Sequence, residues 1–179
     1  MSVVPFRGVV EAFDDADLEV SRASAEDAEH IAALLRSAYA AHLAAGLNFS
    51  AATATAAYVR SRIRRHEVYV LRRARTIIGT VTLRTKEDER GIAGYVSALA
   101  VDPSLRGTGF GGTLLARAER EAMARGLLRM RLDTAKPAQD LIGWYERRGY
   151  RPVGEVHWKG KTYDSVVMEK GLSKIGRLT

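Results

Sequence analysis

Apolar residues recur along the chain with two periods, and these predict alternating strands and helices. Residues 18–22 alternate as in a first strand, and apolar positions over 31–38 then fall on one face of a helix. Polar residues and a glycine over 46–50 predict a loop, after which a second helix runs to about Arg65. The opening part is therefore a strand followed by a helix–loop–helix unit.

Alternating or β-branched residues predict a series of strands in the middle of the chain. Residues 67–72 and 76–85 form a hairpin, and the charged run 86–90 closes a second one. We interpret the acids of that run, Glu87, Asp88 and Glu89, as solvated loop residues. Residues 94–101 are nearly all apolar, which is typical of a central strand buried on both faces.

A cluster of glycines separates this central strand from the next helix, whose apolar spacing begins near Gly111. Residues 127–133 then form another strand, so the order strand, helix, strand predicts a parallel pair with a right-handed crossover. Pro137 opens a further helix that ends at Gly149. A final hairpin over 150–158 and 162–170 completes the domain.

The glycine cluster has a chemical meaning. The first turn of a helix leaves backbone N–H groups unpaired and carries partial positive charge, so it binds phosphate. Arg106 adds a charge suited to a pyrophosphate oxygen. A Walker loop is excluded, because no lysine lies between Lys86 and Lys136. Two alternatives stay open on spacing alone: a dinucleotide-binding loop, with Asp133 ending the next strand, and a plain tight connection without a ligand.

Two motifs in this order resemble the GNAT acyl-CoA N-acyltransferase superfamily. Arg106-x-x-Gly109-x-Gly111 matches that family's Arg/Gln-x-x-Gly-x-Gly/Ala signature. Tyr145, followed by Gly149-Tyr150, is similar to the family's late Tyr-x-x-x-Gly-Phe/Tyr. The resemblance extends over residues 18–170 and favours this family over a dinucleotide-binding unit.

The resemblance implies an α/β fold in a single domain. The expected sheet is mixed and mostly antiparallel, has six to seven strands with helices on both faces, and contains one parallel strand pair splayed at the cofactor site. Residues 1–17 are expected to be an N-terminal extension, 18–170 the N-acetyltransferase domain, and 171–179 a C-terminal tail.

The resemblance also implies an activity, the transfer of an acetyl group from acetyl-CoA to a primary amine of a small molecule or peptide. Tyr145 aligns with the family's general acid, a hydroxyl aimed at the CoA sulfur. Direct attack in a ternary complex needs no covalent intermediate, in agreement with a chain that has no cysteine. The expected cofactor-binding residues are Leu99, Ala100, Val101, Arg106, Gly107, Thr108, Gly109, Phe110, Gly111 and Gly112.

The acceptor side is less clear from the sequence. In the resembled family the early helix–loop–helix forms one wall of the acceptor site, which makes Tyr39, His42, Asn48 and Phe49 candidates for substrate contact. No general base can be assigned, because the central strand offers Tyr95 and Ser97 but no carboxylate. Asp133 is interpreted as a strand-end hydrogen-bonding residue.

One position departs from the family pattern. Ala138 stands where members often carry an asparagine that contacts the cofactor arm. The neighbouring Gln139 is the candidate to replace that contact. This departure keeps a second hypothesis open, in which the same fold binds acyl-CoA as a sensor with little catalysis.

Charge raises a third hypothesis, nucleic-acid binding, since the 179-residue chain has a net charge of +7. The charges are scattered, however, and the densest cluster, residues 60–65, has the helical spacing of a solvated face. The four histidines lack metal-ligand spacing, and no segment is apolar enough to span a membrane. We therefore expect a cytoplasmic enzyme without a metal, a membrane or a nucleic acid partner, and leave a homodimer open.

Overall fold

A seven-stranded sheet forms the centre of the molecule, as seen in a computed structural model that describes residues 17–173. The strands are β1 Leu18–Arg22, β2 Glu67–Arg73, β3 Thr76–Asp88, β4 Gly91–Val101, β5 Arg129–Ala135, β6 Arg151–Val156 and β7 Ser165–Gly171. The helices are α1 Ala28–Ala44, α2 Ala56–Arg65, α3 Phe110–Ala124 and α4 Gln139–Glu146.

The strand order is β1-β2-β3-β4-β5-β7-β6, and every neighbouring pair is antiparallel except β4 and β5. The single parallel pair follows from the helical crossover through α3, because parallel neighbours need a long connection. The expected mixed sheet, with one parallel pair and helices on both faces, is confirmed.

Two apolar cores lie on opposite faces of the sheet. The apolar side of α3, with Leu114, Leu115 and Ala118 at helical spacing, packs in one core with Leu83 and Met168 of the sheet. On the other face, α1 and α2 pack against β2 and β4; the residues of that core include Ile31, Leu35, Val59, Val68, Val70 and Ala100. The sheet is thus covered on both sides, with α1 and α2 on the face opposite α3.

The start of α1 is fixed to the sheet through Asp27. Its carboxylate accepts a hydrogen bond from the Ser24 N–H at 2.8 Å and from the Arg72 guanidinium, also at 2.8 Å. Burial alone would raise the pKa of Asp27, but Arg72 and Ser24 outweigh it, so the pKa lies below its ordinary value. This contact ties the helix that carries Tyr39 to strand β2.

The interpretation of the charged run 86–90 as a solvated loop is wrong for Asp88, whereas Glu87 and Glu89 are exposed and Glu89 lies in the turn. Strand pairing continues through Lys86, Glu87 and Asp88, opposite Ala93, Ile92 and Gly91. The physical reason is an ion-pair network across the sheet end: Asp88 lies 2.8 Å from Arg129 and 2.5 Å from Arg131. These partners hold the strands together beyond the apolar stretch.

Strands β4 and β5 pair only at their beginnings. Gly94 lies opposite Met130 and Tyr95 opposite Arg131, after which β4 continues to Val101 without a partner in β5. The two strands therefore open into a splay. Since the α3 crossover connects the end of β4 to β5, the glycine loop lies at the open end of this splay.

The ends of the chain were only partly predicted. The expected N-terminal extension over 1–17 lies outside the described residues except for Asp17, and residues 174–179 of the expected tail lie outside them as well. Strand β7 runs to Gly171, and the Leu172 N–H donates to the Leu128 carbonyl at 2.8 Å. Among residues 17–173, no helix is long and apolar enough to cross a membrane.

Candidate active site

The glycine loop presents its backbone to open space. Gly107 and Gly109 have φ angles of 82° and 90°, a conformation that side chains rarely adopt, and no atom lies within 4 Å of the position that a Cβ would take on either. Gly109 caps α3 without a side-chain hydrogen bond. Within residues 17–173, these backbone N–H groups have no protein acceptor: Gly107, Gly109, Phe110, Gly111 and Gly112. The loop is therefore built to accept an anion.

Side chains of the loop mostly serve its own shape. The Arg106 guanidinium donates to the Ala38 carbonyl of α1 at 2.8 Å, which anchors the loop to that helix. The Thr108 hydroxyl donates to the Leu105 carbonyl at 2.6 Å. The groups left facing solvent are backbone amides rather than charged side chains.

Helix α4 and the turn that follows it pack against the loop through two residues that sequence reasoning missed as loop contacts, Trp144 and Arg148. A Cβ on Gly111 would lie 3.3 Å from the Trp144 indole, and one on Gly112 would lie 3.4 Å from the Arg148 guanidinium. Arg148 also stacks on Trp144, 3.6 Å from the ring centroid. The spacing of four residues between them was the available signal. Arg148 adds a positive charge beside the α3 N-terminus.

The end of β4 is opened further by a bulge. Ala98 has a φ of 50°, and neither Ala98 nor Leu99 has a paired residue in β3 or β5. The Leu99 carbonyl accepts a hydrogen bond from the Tyr39 hydroxyl at 2.9 Å. The predicted cofactor strand, residues 99–101, therefore has an edge that β5 does not cover, and α1 touches it through Tyr39.

Tyr145 lies between the glycine loop and the splay. Its ring packs edge-on against Trp144 and Tyr150, with centroids 4.9 and 5.8 Å away. Burial, and then the nearby Tyr39, raise the pKa of the Tyr145 hydroxyl well above its ordinary value. This hydroxyl has no hydrogen-bond partner among the residues the structure describes. It is a protonated donor whose partner is not supplied by residues 17–173.

The four acceptor-side candidates do not play one role. Tyr39, His42 and Phe49 form an aromatic cluster with centroids 5.3 to 5.9 Å apart, and Tyr163 joins it at 5.1 Å from Phe49. Asn48 instead holds the β6–β7 loop: its amide donates to Gly160 O at 2.8 Å, and its carbonyl accepts from the Thr162 N–H at 3.0 Å. Three candidates thus meet in one wall, and the fourth connects two loops.

Beside this wall lies a cleft of about 420 Å³, lined by Leu43, Asn48, Phe49, Ser50, Thr53, Tyr58 and Lys161. The Lys161 ammonium donates to the backbone carbonyl of Asn48 at 2.7 Å and to the Ser50 hydroxyl at 2.8 Å. Burial lowers the pKa of Lys161. The cleft lies on the α1–α2 side of the sheet.

Side chains from three strands or loops meet where β4 and β5 begin to separate, a region here termed the throat. Asp133 of β5 accepts hydrogen bonds from the Tyr95 hydroxyl of β4 and, at 3.0 Å, from the Trp158 indole. Asp133 thus forms hydrogen bonds as predicted, but β5 continues two residues beyond it to Ala135, so the predicted strand-end position is wrong. The throat contains one carboxylate, held by an aromatic residue on each side.

Arg62 was not predicted here, because residues 60–65 were interpreted as a solvated helix face. That interpretation is wrong for Arg62, which is half-buried and reaches from α2 to the throat. Its guanidinium donates to the Ser97 hydroxyl at 2.5 Å and to the Tyr58 hydroxyl at 3.0 Å. The helical period gave the exposed side of α2 but not the length to which an arginine extends inward.

The position that departs from the family pattern is buried. Ala138 is 5% exposed and packs with Ala135 and Tyr163. The Gln139 amide, the candidate replacement, donates to the Lys136 carbonyl at 2.7 Å. Neither side chain is directed at the glycine loop by these contacts.

A family model described as the acetyltransferase (GNAT) family matches residues 29–150, which is more than half of the chain. The chain belongs to this family. The resemblance noted in the sequence is thereby confirmed, and the GNAT chain is an N-acyltransferase enzyme.

Relatives extend this finding. The GNAT chain is 35% identical over 153 residues to S-(2-succino)cysteine N-acetyltransferase of Bacillus subtilis, covering 82% of this chain and 91% of that one. The ribosomal-protein-S18-alanine N-acetyltransferase of Escherichia coli shares its fold, with a TM-score of 0.70, 17% identity, and coverage of 90% and 98%. A Thermoplasma acidophilum PaiA N-acetyltransferase in complex with coenzyme A also shares the fold. Its TM-score is 0.69 and its identity 19%, over 86% of this chain and 98% of that one.

Proposed function

We propose that this GNAT enzyme transfers an acetyl group from acetyl-CoA to the primary amine of a small molecule in a ternary complex. The observation that carries the proposal is the combination of unpaired loop amides and the splayed β4 edge, which lie side by side. The loop amides hold the pyrophosphate of the donor. The uncovered backbone at residues 99–101 replaces lost strand pairing with hydrogen bonds to the pantetheine amides.

The residues present fit such a donor. The conformations of Gly107 and Gly109 leave open space where side chains would block an anion, and Arg148 places a guanidinium beside the same amides. Hydrogen bonds from helix N-terminal amides to phosphate are charge-assisted and strong. Ala138 does not weaken this half of the site, because the loop contacts come from the backbone.

The chemistry divides between donor and protein. Acetyl-CoA supplies a thioester whose carbonyl carbon accepts the lone pair of the amine, so that a C–N bond forms and the C–S bond breaks. The Leu99 N–H is the group assigned to the developing oxyanion, because Leu99 has no paired residue in β3 or β5 at the bulge. The Tyr145 hydroxyl gives its proton to the departing sulfur. Its raised pKa keeps it protonated until that step.

The acceptor enters from the cleft between α1, α2 and the β6–β7 loop. It must arrive as a neutral amine, and β4 carries no carboxylate to remove its proton. Once the C–N bond forms, the proton lost from the amine nitrogen passes to water in the cleft, and the Tyr145 phenolate regains a proton from that water. The aromatic cluster of Tyr39, His42 and Phe49 forms the apolar wall along which the acceptor side chain packs.

Isothermal titration calorimetry with acetyl-CoA, followed by thiol release on a panel of amines, tests the proposal. We expect acetyl-CoA to bind, and thiol release to require both the enzyme and an amine. S-(2-succino)cysteine, named for the Bacillus subtilis relative, is the first acceptor to include. Binding without turnover on any amine would instead identify a sensor module, and absence of binding would refute both.

A further inference from the structure

Two arginines at the throat have no acidic partner among residues 17–173. Arg84 of β3 lies half-buried with its guanidinium 4.6 Å from the centroid of the Tyr95 ring. Among residues 17–173 it makes no hydrogen bond and no ion pair, and its Nε is buried without an acceptor. Burying a cation without a counter-ion is costly, because the low dielectric weakens its solvation.

Arg62 also lacks an acidic partner among the described residues, although it does form hydrogen bonds. Its two terminal nitrogens donate to the neutral hydroxyls of Tyr58 and Ser97, while its Nε is buried and unpaired. Burial, and then the charges of Arg62 and Arg84, lower the pKa of the neighbouring His66. Asp133 is the carboxylate of the throat, so the guanidiniums of Arg62 and Arg84 outnumber the negative charge that the described residues supply there.

Two other arginines of the sheet, Arg129 and Arg72, have acidic partners. Arg129 lies between Asp88, at 2.8 Å, and Glu169, at 3.2 Å, and Arg72 is paired with Asp27. Arg62 and Arg84 have no carboxylate partner among residues 17–173, and both lie at the throat, where the proposed acceptor would meet the donor. The difference indicates that the missing anion comes with the ligand.

We infer that the acceptor amine carries a carboxylate, which Arg84 and Arg62 bind while the carboxylate of Asp133 faces the amino group. The inference rests on the proposed function, since it concerns the second substrate of that reaction. A guanidinium binds a carboxylate through two parallel hydrogen bonds, and a buried pair of this kind discriminates strongly against an uncharged analogue. Ser97 and Asp133, each two residues beyond the last β4–β5 pair, put the two charges on either side of the splay.

A matched series of amines tests the inference: L-glutamate, L-glutamine, L-isoglutamine and L-glutaminamide. They share one skeleton and differ in which carboxylates are present. We expect at least one carboxylate-bearing member to exceed L-glutaminamide by about 10-fold or more in kcat/KM. The corresponding N-acetyl product should bind by calorimetry, whereas N-acetyl-L-glutaminamide should not, which gives a readout independent of turnover.

Variants locate the effect. Arg84→Gln should abolish the preference for the carboxylate, because it should lower kcat/KM for the carboxylate-bearing amine about 10-fold more than kcat/KM for L-glutaminamide. Arg84→Lys should restore part of the preference, and Arg64→Gln, an exposed cation on α2, should change nothing. Arg62→Gln gives a second test if Arg84→Gln does not fold.

Two results would overturn the inference while leaving acyl transfer intact: equal kcat/KM for all four amines, or equal losses in Arg84→Gln for charged and neutral acceptors. If acetyl-CoA binds but no amine of any class is acetylated, the proposed function fails, and this inference fails with it.

Discussion

The donor and acceptor sides of the splay are built from different parts of the chain. On the donor side, the groups available to a ligand are backbone amides at positive-φ glycines and at an unpaired strand edge. On the acceptor side they are side chains that converge from α1, α2, β3, β5 and the β6–β7 loop, such as Tyr39, Arg62, Arg84, Asp133 and Lys161.

This difference explains how each side recognises its ligand. Backbone amides depend on conformation, which a short run of glycines specifies locally, so the donor site is compatible with many sequences elsewhere. Side chains gathered from distant segments depend on the whole fold and can differ in charge and shape from one enzyme to another. We therefore expect the donor to be common to the family and the acceptor to depend on this chain's own side chains.

Tyr145 stands between the two sides, and its removal should have the largest effect. Tyr145→Phe should lower kcat about 100-fold or more, the range of a lost general acid, with little change in the Kd for acetyl-CoA. The measurement is steady-state thiol release together with calorimetry. Tyr69→Phe, which loses a hydroxyl bonded to Glu67 far from the site, should keep its kcat. Unchanged turnover in Tyr145→Phe would assign the acid to another group.

The donor side should fail through conformation alone. Gly109→Val puts a β-branched residue at a φ of 90° and should weaken acetyl-CoA binding about 10-fold to 100-fold, since such strain amounts to about 1–3 kcal/mol. Gly126→Val is the matched control, because Gly126 has a φ of 76° and the same open surroundings at the other end of α3. Calorimetry should find its affinity intact. Equal losses in both variants would mean that strain, not the loop, matters.

Tyr39 on the acceptor side is connected to the donor side by one hydrogen bond, from its hydroxyl to the Leu99 carbonyl. Tyr39→Phe keeps the aromatic wall but frees that carbonyl, and a single such bond contributes about 1 kcal/mol. We therefore expect kcat/KM to fall by about 5-fold, measured with acetyl-CoA saturating and the amine varied. A loss of 100-fold would give Tyr39 a direct role in the chemistry.

Asp27 supports both sides indirectly, by fixing the start of α1. Its pKa is lowered in the folded state, so it stabilises the fold above its unfolded value of 3.8, and this contribution disappears as the pH falls through the folded pKa. Asp27→Asn should lose about 1 kcal/mol of unfolding free energy at pH 7, and the difference from wild type should vanish at low pH. Urea titrations at several pH values measure it. A pH-independent difference would contradict the ionic explanation.

The donor side was easier to predict from the sequence than the acceptor side. The loop, its helix and the parallel pair were predictable, because glycine spacing and apolar periodicity are local properties. The start of α2 is also a local property, because the Thr55 hydroxyl caps it by accepting from the Tyr58 N–H at 3.1 Å. Helix α1 continues to Ala44, beyond the helical spacing predicted over residues 31–38, and it therefore includes Tyr39 and His42.

The acceptor side could not be predicted, because its contacts join residues far apart in sequence. Arg62 and Ser97 are 35 positions apart, and Tyr95 and Asp133 are 38 apart. Arg84 carries no local signal at all, since an arginine at the end of an apolar strand is usual on a surface. Asp88 was misinterpreted for the same reason: its partners Arg129 and Arg131 come from β5.

The central claim is that backbone amides of the glycine loop and of the opened β4 edge hold the donor. Amide hydrogen exchange with and without acetyl-CoA tests it most directly, since it reports on those N–H groups one segment at a time. We expect acetyl-CoA to slow amide exchange over residues 98–101 and 107–112 and to change it little in β2, Glu67–Arg73. Binding that leaves the exchange of both segments unchanged would contradict it.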